Sequence, residues 1–282
     1  MYRLYAMDTC FFTPQGVYDL DARCAITAEL GFDATYLTLN DAAWPDLPRL
    51  DGVRARHGLD VAAVYRPVRF GLDGFEDEAR TRELLETIAC CRTIELAVVG
   101  VGGLEPSDPA GDSTFARAIE PWLRVADRRD LTLVLYPHLR NWIERLEDAT
   151  RLCRLIDHPH LKAVFCGFHW YAKDGRDLPG TLAEAAGYLH HANLSGCDPA
   201  RHEGPPKRIV PLDDGELDNF YVLAALRDAG LVEDAWLGVQ GYSVAGDVYA
   251  KLRRSKAALD DMLGRLKRHP EWAKRRVSVP AR

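Results

Sequence analysis

Short apolar runs alternate with longer amphipathic segments along this chain, and the alternation constrains its fold more than any other feature. Eight of the runs are rich in β-branched residues and are predicted to be strands. They are Arg3–Met7, Ala34–Leu39, Asp60–Tyr65, Ile94–Val99, Thr132–Leu135, Ala163–Phe165, Tyr188–Leu194 and Ala235–Val239. Repeated strand–helix units form either a closed barrel or an open doubly wound sheet. Eight units in 282 residues favour the closed (β/α)8 TIM barrel.

Helix signals lie between the predicted strands. The clearest helices run from Asp19 to a stop at Gly31, from Glu147 to Ile156, and from Asp218 to Ala229 with Gly230 at the carboxyl end. No GxGxxG motif follows the first strand, which argues against a dinucleotide-binding sheet. We expect one domain over residues 1–282, with 265–282 as a C-terminal tail.

Composition narrows the range of partners. The formal net charge is −6, which gives no electrostatic reason to expect nucleic-acid binding. The seven cysteines are scattered and include no CxxC pair, so neither a disulfide framework nor a zinc knuckle is indicated. The sequence shows no signal-peptide pattern and no run long enough for a membrane span. A reducing cytoplasm is therefore the expected location.

Catalytic groups of such barrels lie where strands end and the following loops begin. Here those positions are rich in groups that hydrogen-bond or stack on a polyhydroxylated ligand. The candidate substrate-binding residues are Tyr65, Tyr136, Trp170, Asn193, Asp198, Gln240 and Tyr242.

Two histidines at adjacent strand ends, His138 and His169, are the candidate catalytic residues. Imidazoles are the side chains best suited to proton transfer near neutral pH. His190 and His191 are weaker candidates, because strand alternation sends one inward and one outward. Cys166 is better explained as a small core residue than as a nucleophile.

Three segments carry a resemblance to a known family. They are Tyr136-Pro137-His138 followed by Glu147-Asp148-Ala149, then Ile209–Asp218, then Gly238–Tyr242 with Gly246-Asp247 and Leu252–Ser255. With them the chain resembles the sugar phosphate isomerase/epimerase group of xylose-isomerase-like barrels, which is related to the apurinic endonucleases. The resemblance covers most of the chain and leaves a homo-oligomer open, with aromatics around Trp44 or Trp236 as candidate contacts.

The resemblance implies a divalent metal held by Glu, Asp, His and Glu from strands five to eight. In this chain the first Glu position is Tyr136, the Asp position is Cys166 and the final Glu position is Gln240. The His position falls near Asn193 or Ser195. Without carboxylates a hard cation such as Mg²⁺ loses the ligands it requires, so we expect no metal cofactor.

Three hypotheses follow. The favoured one is a metal-independent sugar or keto-sugar isomerase, epimerase or related lyase, with His138 and His169 as acid and base. In the second, these histidines and either His190 or His191 bind a softer metal such as zinc. In the third, the barrel binds carbohydrate or regulates without catalysis. Nuclease activity is disfavoured, because the histidine-rich metal cluster of the family's endonucleases is missing.

Overall fold

Eight parallel strands follow one another around a closed sheet, as the alternation predicts. The computed structural model describes residues 2–173, 175–198, 209–242 and 246–274. The strands are β1 Arg3–Ala6, β2 Ala34–Thr38, β3 Asp60–Gly71, β4 Thr93–Gly100, β5 Thr132–Leu135, β6 Leu161–Cys166, β7 Leu189–Leu194 and β8 Trp236–Val239. Each strand pairs in parallel with the next, and β8 pairs with β1 to close the barrel. The predicted TIM barrel is confirmed.

Helices surround the barrel between the strands. Those of the described residues are α1 Leu20–Glu29, α2 Val53–His57, α3 Glu78–Thr87, α4 Asp112–Arg129, α5 Leu146–Ile156, α6 Gly167–Ala172, α7 Leu178–Ala185, α8 Asn219–Asp228 and α9 Val248–Arg268. The predicted ends are close to the observed ones, because Asp19 and Asp218 cap α1 and α8 through their side chains. Gly230 has a φ of 86°, the left-handed conformation that ends a helix and favours glycine.

The third strand is longer than predicted, and Tyr65 lies within it rather than at its end. The sequence predicts an end at Tyr65 because Arg66 and Pro67 interrupt the apolar pattern of the strand. In the structure β3 continues to Gly71, paired with β4 from Val64 to Phe70. Pairing with β2 ends at Tyr65, so Pro67 lies where β3 has become an edge, and there a proline is tolerated.

The C-terminal segment packs on the barrel as far as it is described. Helix α9 continues through Arg268, and both Leu266 and Ala273 are buried. Residues 265–274 of the predicted tail therefore belong to the packed structure, and 275–282 lie outside the described residues.

The two tryptophans suggested as oligomer contacts are half-buried rather than exposed. The guanidinium of Arg3 lies 3.7 Å from the centre of the Trp236 ring, and that of Arg80 lies 4.2 Å from the Trp44 ring. These cation–π contacts already cover part of each ring.

Two further sequence expectations can be compared with the described residues. All seven cysteines are free thiols, five of them buried. Within the described ranges, no helix is both long and apolar enough to cross a membrane.

Candidate active site

The two candidate histidines lie side by side at the carboxyl ends of adjacent strands. His138 follows β5, and His169 lies in α6, which begins directly after β6. Their ring centres are 4.1 Å apart. The structure therefore brings together the pair that the sequence singled out.

The backbone of Leu139 fixes which nitrogen of each ring carries the proton. Its carbonyl oxygen lies 2.9 Å from Nδ1 of His138, and a carbonyl only accepts, so this nitrogen must carry hydrogen. Its N–H donates to Nδ1 of His169 at 3.3 Å, so that nitrogen must be the bare one. In the neutral rings, His138 keeps a free lone pair on Nε2, whereas His169 carries its proton there.

Both rings are held in the neutral form. Burial lowers the pKa of His138, and burial together with the nearby His138 lowers the pKa of His169 well below its usual value. Nε2 of His169 is buried and has no hydrogen-bond partner among the described residues. A buried donor without a partner is costly, so this N–H would be stabilised by an acceptor oxygen.

Three residues at the positions where the resemblance implies metal ligands are hydrogen-bonded to one another in a closed ring. The Tyr136 hydroxyl donates to Sγ of Cys166 at 3.5 Å, and that thiol donates to Oε1 of Gln240 at 3.2 Å. Nε2 of Gln240 then donates to the Tyr136 hydroxyl at 3.4 Å. All three side chains are buried.

The side chains of Tyr136, Cys166 and Gln240 do not fit a hard divalent cation as ligands. Burial, assisted by Cys166 and the Glu95 carboxylate, raises the pKa of Tyr136 well above its usual value. Burial raises the pKa of Cys166 to about 11. A neutral phenol, a neutral thiol and an amide supply none of the negative charge that Mg²⁺ or Mn²⁺ requires.

The fourth position falls near Asn193 or Ser195, and both residues are fully buried. The Asn193 amide has a hydrogen-bond partner on each side. Its oxygen accepts from the Tyr5 hydroxyl, and its Nδ2 donates to Oε1 of Glu95 at 3.5 Å. Both sides of the Asn193 amide therefore have partners inside the barrel, and its role in orienting a substrate hydroxyl stays a prediction. The residue belongs to a polar network inside the barrel.

Glu95 is the centre of that network, and it was not predicted as a site residue because it lies within β4 rather than at a strand end. Its carboxylate is completely buried and accepts from the Tyr36 hydroxyl, from Asn193 and from Nε2 of His191, the last at 2.5 Å. His191 in turn contacts His190 through their Nδ1 atoms at 2.8 Å. A carboxylate in the middle of an otherwise apolar strand was the signal in the sequence, since such a charge is buried only with partners.

A cavity of about 250 Å³ opens beside His169. Its lining includes Cys166, Trp170 and the buried Glu144, which the sequence search also missed. Oε2 of Glu144 pairs with Lys173 at 2.8 Å, and its Oε1 accepts from the Arg140 N–H at 2.8 Å. The prediction of Trp170 as a site residue is thus consistent with its place in the cavity wall.

The other predicted substrate-binding residues, Tyr65, Tyr242 and Asp198, differ in their contacts and in their exposure. Tyr65 packs edge-on against Tyr136, with ring centres 4.9 Å apart. Tyr242 is largely exposed and contacts Phe12 of the hairpin that follows β1. Asp198 is half-buried directly after the short strand Gly196–Cys197 and does not line the cavity.

The histidine-ligated metal hypothesis gains no support from the geometry. His138 and His169 form one pair, whereas His191 is bonded to Glu95 and His190. In the part of the chain that is described, no three His, Cys, Asp or Glu side chains are grouped so as to hold a metal ion.

Solved structures with the same fold are numerous among proteins of low sequence identity. An L-ribulose 3-epimerase has a TM-score of 0.73 and 19% identity, over 99% of this chain and 100% of that one. A probable 3-DHS dehydratase from Bacillus anthracis has a TM-score of 0.72 and 14% identity, over 92% and 98%. A 3-keto-D-glucoside 4-epimerase from E. coli has a TM-score of 0.66 and 17% identity, over 94% and 100%.

Sequence comparison establishes the family. Comparison with curated proteins found no match. The family model of the xylose isomerase-like TIM barrels, however, matches residues 24–262. The chain therefore belongs to the xylose isomerase-like TIM barrel family.

Proposed function

We propose that the protein is an isomerase or epimerase of a sugar or keto-sugar that moves a proton at the carbon next to a carbonyl. The observation that carries the proposal is the Leu139 peptide between two buried neutral imidazoles. It leaves a proton acceptor on Nε2 of His138 and a proton donor on Nε2 of His169. Such a pair is what removal of a proton next to a carbonyl requires.

The chemical step balances with these two groups. Nε2 of His138 removes the proton from the carbon next to the carbonyl, and the C–H electron pair forms the C=C bond of an enediolate. The carbonyl oxygen takes the negative charge and receives the hydrogen bond of His169, whose neutral ring acts as the electrophile. The imidazolium of His138 returns the proton to the same carbon after the enediolate has turned its other face toward the ring, which gives the epimer. Return of the proton to the former carbonyl carbon gives the isomer, while the neighbouring hydroxyl passes its own proton to the former carbonyl oxygen. Donation of the same proton from His138 to a β-hydroxyl, which leaves as water, gives elimination instead.

The proposal includes no divalent metal. The ring of Tyr136, Cys166 and Gln240 places neutral groups, hydrogen-bonded to one another, at the positions where the resemblance implies metal ligands. The hydrogen-bonding capacity that the ring leaves unused suits a substrate hydroxyl. The names of the similar structures support the choice of substrate, since two of them are epimerases of a sugar or a keto-glucoside and a third is a dehydratase.

Substitutions at the two histidines test the roles separately. His138→Gln removes the base, and we expect exchange of the substrate proton in D₂O, followed by NMR on a panel of ketoses and 3-keto sugars, to fall about 10²- to 10⁴-fold. His169→Asn can still accept from Leu139 but loses the donor, so we expect a loss of about 10²- to 10³-fold. His169→Gln places an amide N–H near the former Nε2 and should retain more activity than His169→Asn.

The control and the contradicting results are equally specific. His158→Gln, on the loop between α5 and β6, should leave exchange within about twofold of the wild type. Retained exchange in both His138→Gln and His169→Asn would refute the acid–base assignment. Sugar binding without exchange by any probe would instead favour the non-catalytic binding protein.

A further inference from the structure

The cavity beside His169 adjoins the reacting groups without including both of them. His169 and Pro137 line it, but His138, the proposed base, does not. A carbon that reaches Nε2 of His138 therefore lies outside the set of residues that line the cavity. The space beyond His169 is left for another part of the same molecule.

The volume of the cavity and one aromatic residue in its lining suit a sugar ring. Its volume of about 250 Å³ is just under the roughly 300–1,000 Å³ that encloses drug-sized ligands. Trp170 contributes a half-buried aromatic ring, which packs against Phe165 with ring centres 6.2 Å apart. An aromatic face of this kind packs against the C–H face of a sugar.

The charges around the cavity are balanced and in part already paired. Among the described residues, three cationic and three anionic side chains line it: Arg145, Lys173 and Arg176, and Glu144, Glu147 and Asp177. Glu144 is bound to Lys173, and Glu147 accepts from the hydroxyl of Thr181 at 3.1 Å. A phosphate or carboxylate would find no excess positive charge, whereas hydroxyl groups would find both donors and acceptors.

We propose that this cavity binds an uncharged polyhydroxylated substituent of the substrate, so that the substrate is a glycoside with at least a second sugar ring. The inference rests on the proposed function only for the placement of the reacting carbonyl at His138 and His169. It assigns to the cavity the recognition of the remaining ring, with Trp170 as the stacking surface.

The test compares a 3-keto disaccharide with the corresponding 3-keto monosaccharide in the D₂O exchange assay. We expect kcat/KM to be at least tenfold higher for the disaccharide, and Thr181→Trp, which fills the cavity, to abolish that preference. The matched control is Glu184→Trp, which places the same ring on an exposed position of α7 outside the cavity. Trp170→Ala removes the stacking surface without filling the cavity, and it should also lower the preference for the disaccharide.

Binding is measured separately by calorimetry with a non-reacting disaccharide that lacks the keto group. Tighter binding of this disaccharide than of its monosaccharide, weakened at least tenfold in Thr181→Trp, supports the subsite even if no probe exchanges its proton. Exchange without any preference for the disaccharide overturns the subsite and leaves the proposed function standing. Binding of a monosaccharide phosphate at least tenfold more tightly than its parent sugar would overturn the uncharged class.

Discussion

Replacing Glu95 is expected to lower the stability of the barrel substantially. Its carboxylate accepts hydrogen bonds from Tyr36, His191 and Asn193 and is completely inaccessible to solvent. Glu95→Ala leaves these three donors without an acceptor. A buried donor that loses its partner costs about 1–3 kcal/mol, so three of them cost about 3–9 kcal/mol.

Glu95→Gln is the graded version of the same test. The amide keeps one acceptor oxygen but loses the charge, and it places an NH₂ group where one donor formerly found an oxygen. A hydrogen bond to a charged group contributes about 1.5–3 kcal/mol, which is the expected loss. Since a domain is stable by about 5–15 kcal/mol, this variant should fold, whereas Glu95→Ala is expected to lie near the limit.

Urea unfolding followed by circular dichroism measures both values, provided that the slope of the transition stays unchanged. The matched control is Glu184→Gln, an exposed glutamate of α7, which should stay within about 0.5 kcal/mol of the wild type. A Glu95→Gln variant as stable as the wild type would show that the carboxylate does not anchor the network, and the account of the barrel interior would be wrong.

Three further outcomes follow from particular side chains. Burial holds the pKa of His169 well below its usual value, so below about pH 6.5 the unfolded chain takes up a proton that the folded protein excludes. On acidification this group should lower the stability by about 1.4 kcal/mol per pH unit until its folded pKa is reached. The effect is measured as a decrease in Tm between pH 7 and 5.5. Gly238→Ala should lower the stability by about 1–3 kcal/mol in the same urea assay, because a Cβ there would overlap the Asn193 amide oxygen and the Tyr5 ring. Since burial raises the pKa of Cys166 to about 11, iodoacetamide at pH 8 should leave this thiol unmodified in the folded protein and label it in urea, as read by mass spectrometry.

The barrel could be predicted because its strands are apolar runs that any sheet would bury, and its helices carry local start and stop signals. The exception is β3, where Arg66 and Pro67 hide a strand that tertiary pairing with β4 sustains. Pairing of this kind depends on a partner about 30 residues away, and local pattern does not report it.

The residue types of the site could be predicted from the sequence, but its hydrogen bonds could not. Strand-end position was enough to place His138 beside His169, but the protonated nitrogen of each ring depends on the orientation of the Leu139 peptide. Asn193 matched a strand-end pattern, yet its amide faces Glu95 and Tyr5 within the barrel. Such choices are set by partners that are distant in the sequence, such as Tyr5 and Glu95 for Asn193, and are visible only in the folded chain.

The most direct test of the central claim is proton exchange by protein from which metal has been removed. The wild type is treated with chelator, its metal content is verified by elemental analysis, and exchange of a keto-sugar proton in D₂O is followed by NMR. We expect the exchange rate of the wild type to be unchanged by metal removal. Under the same conditions the rate of His138→Gln should be at least about 10²-fold lower. A rate that disappears with the metal and returns when Mn²⁺ or Zn²⁺ is added would contradict this expectation.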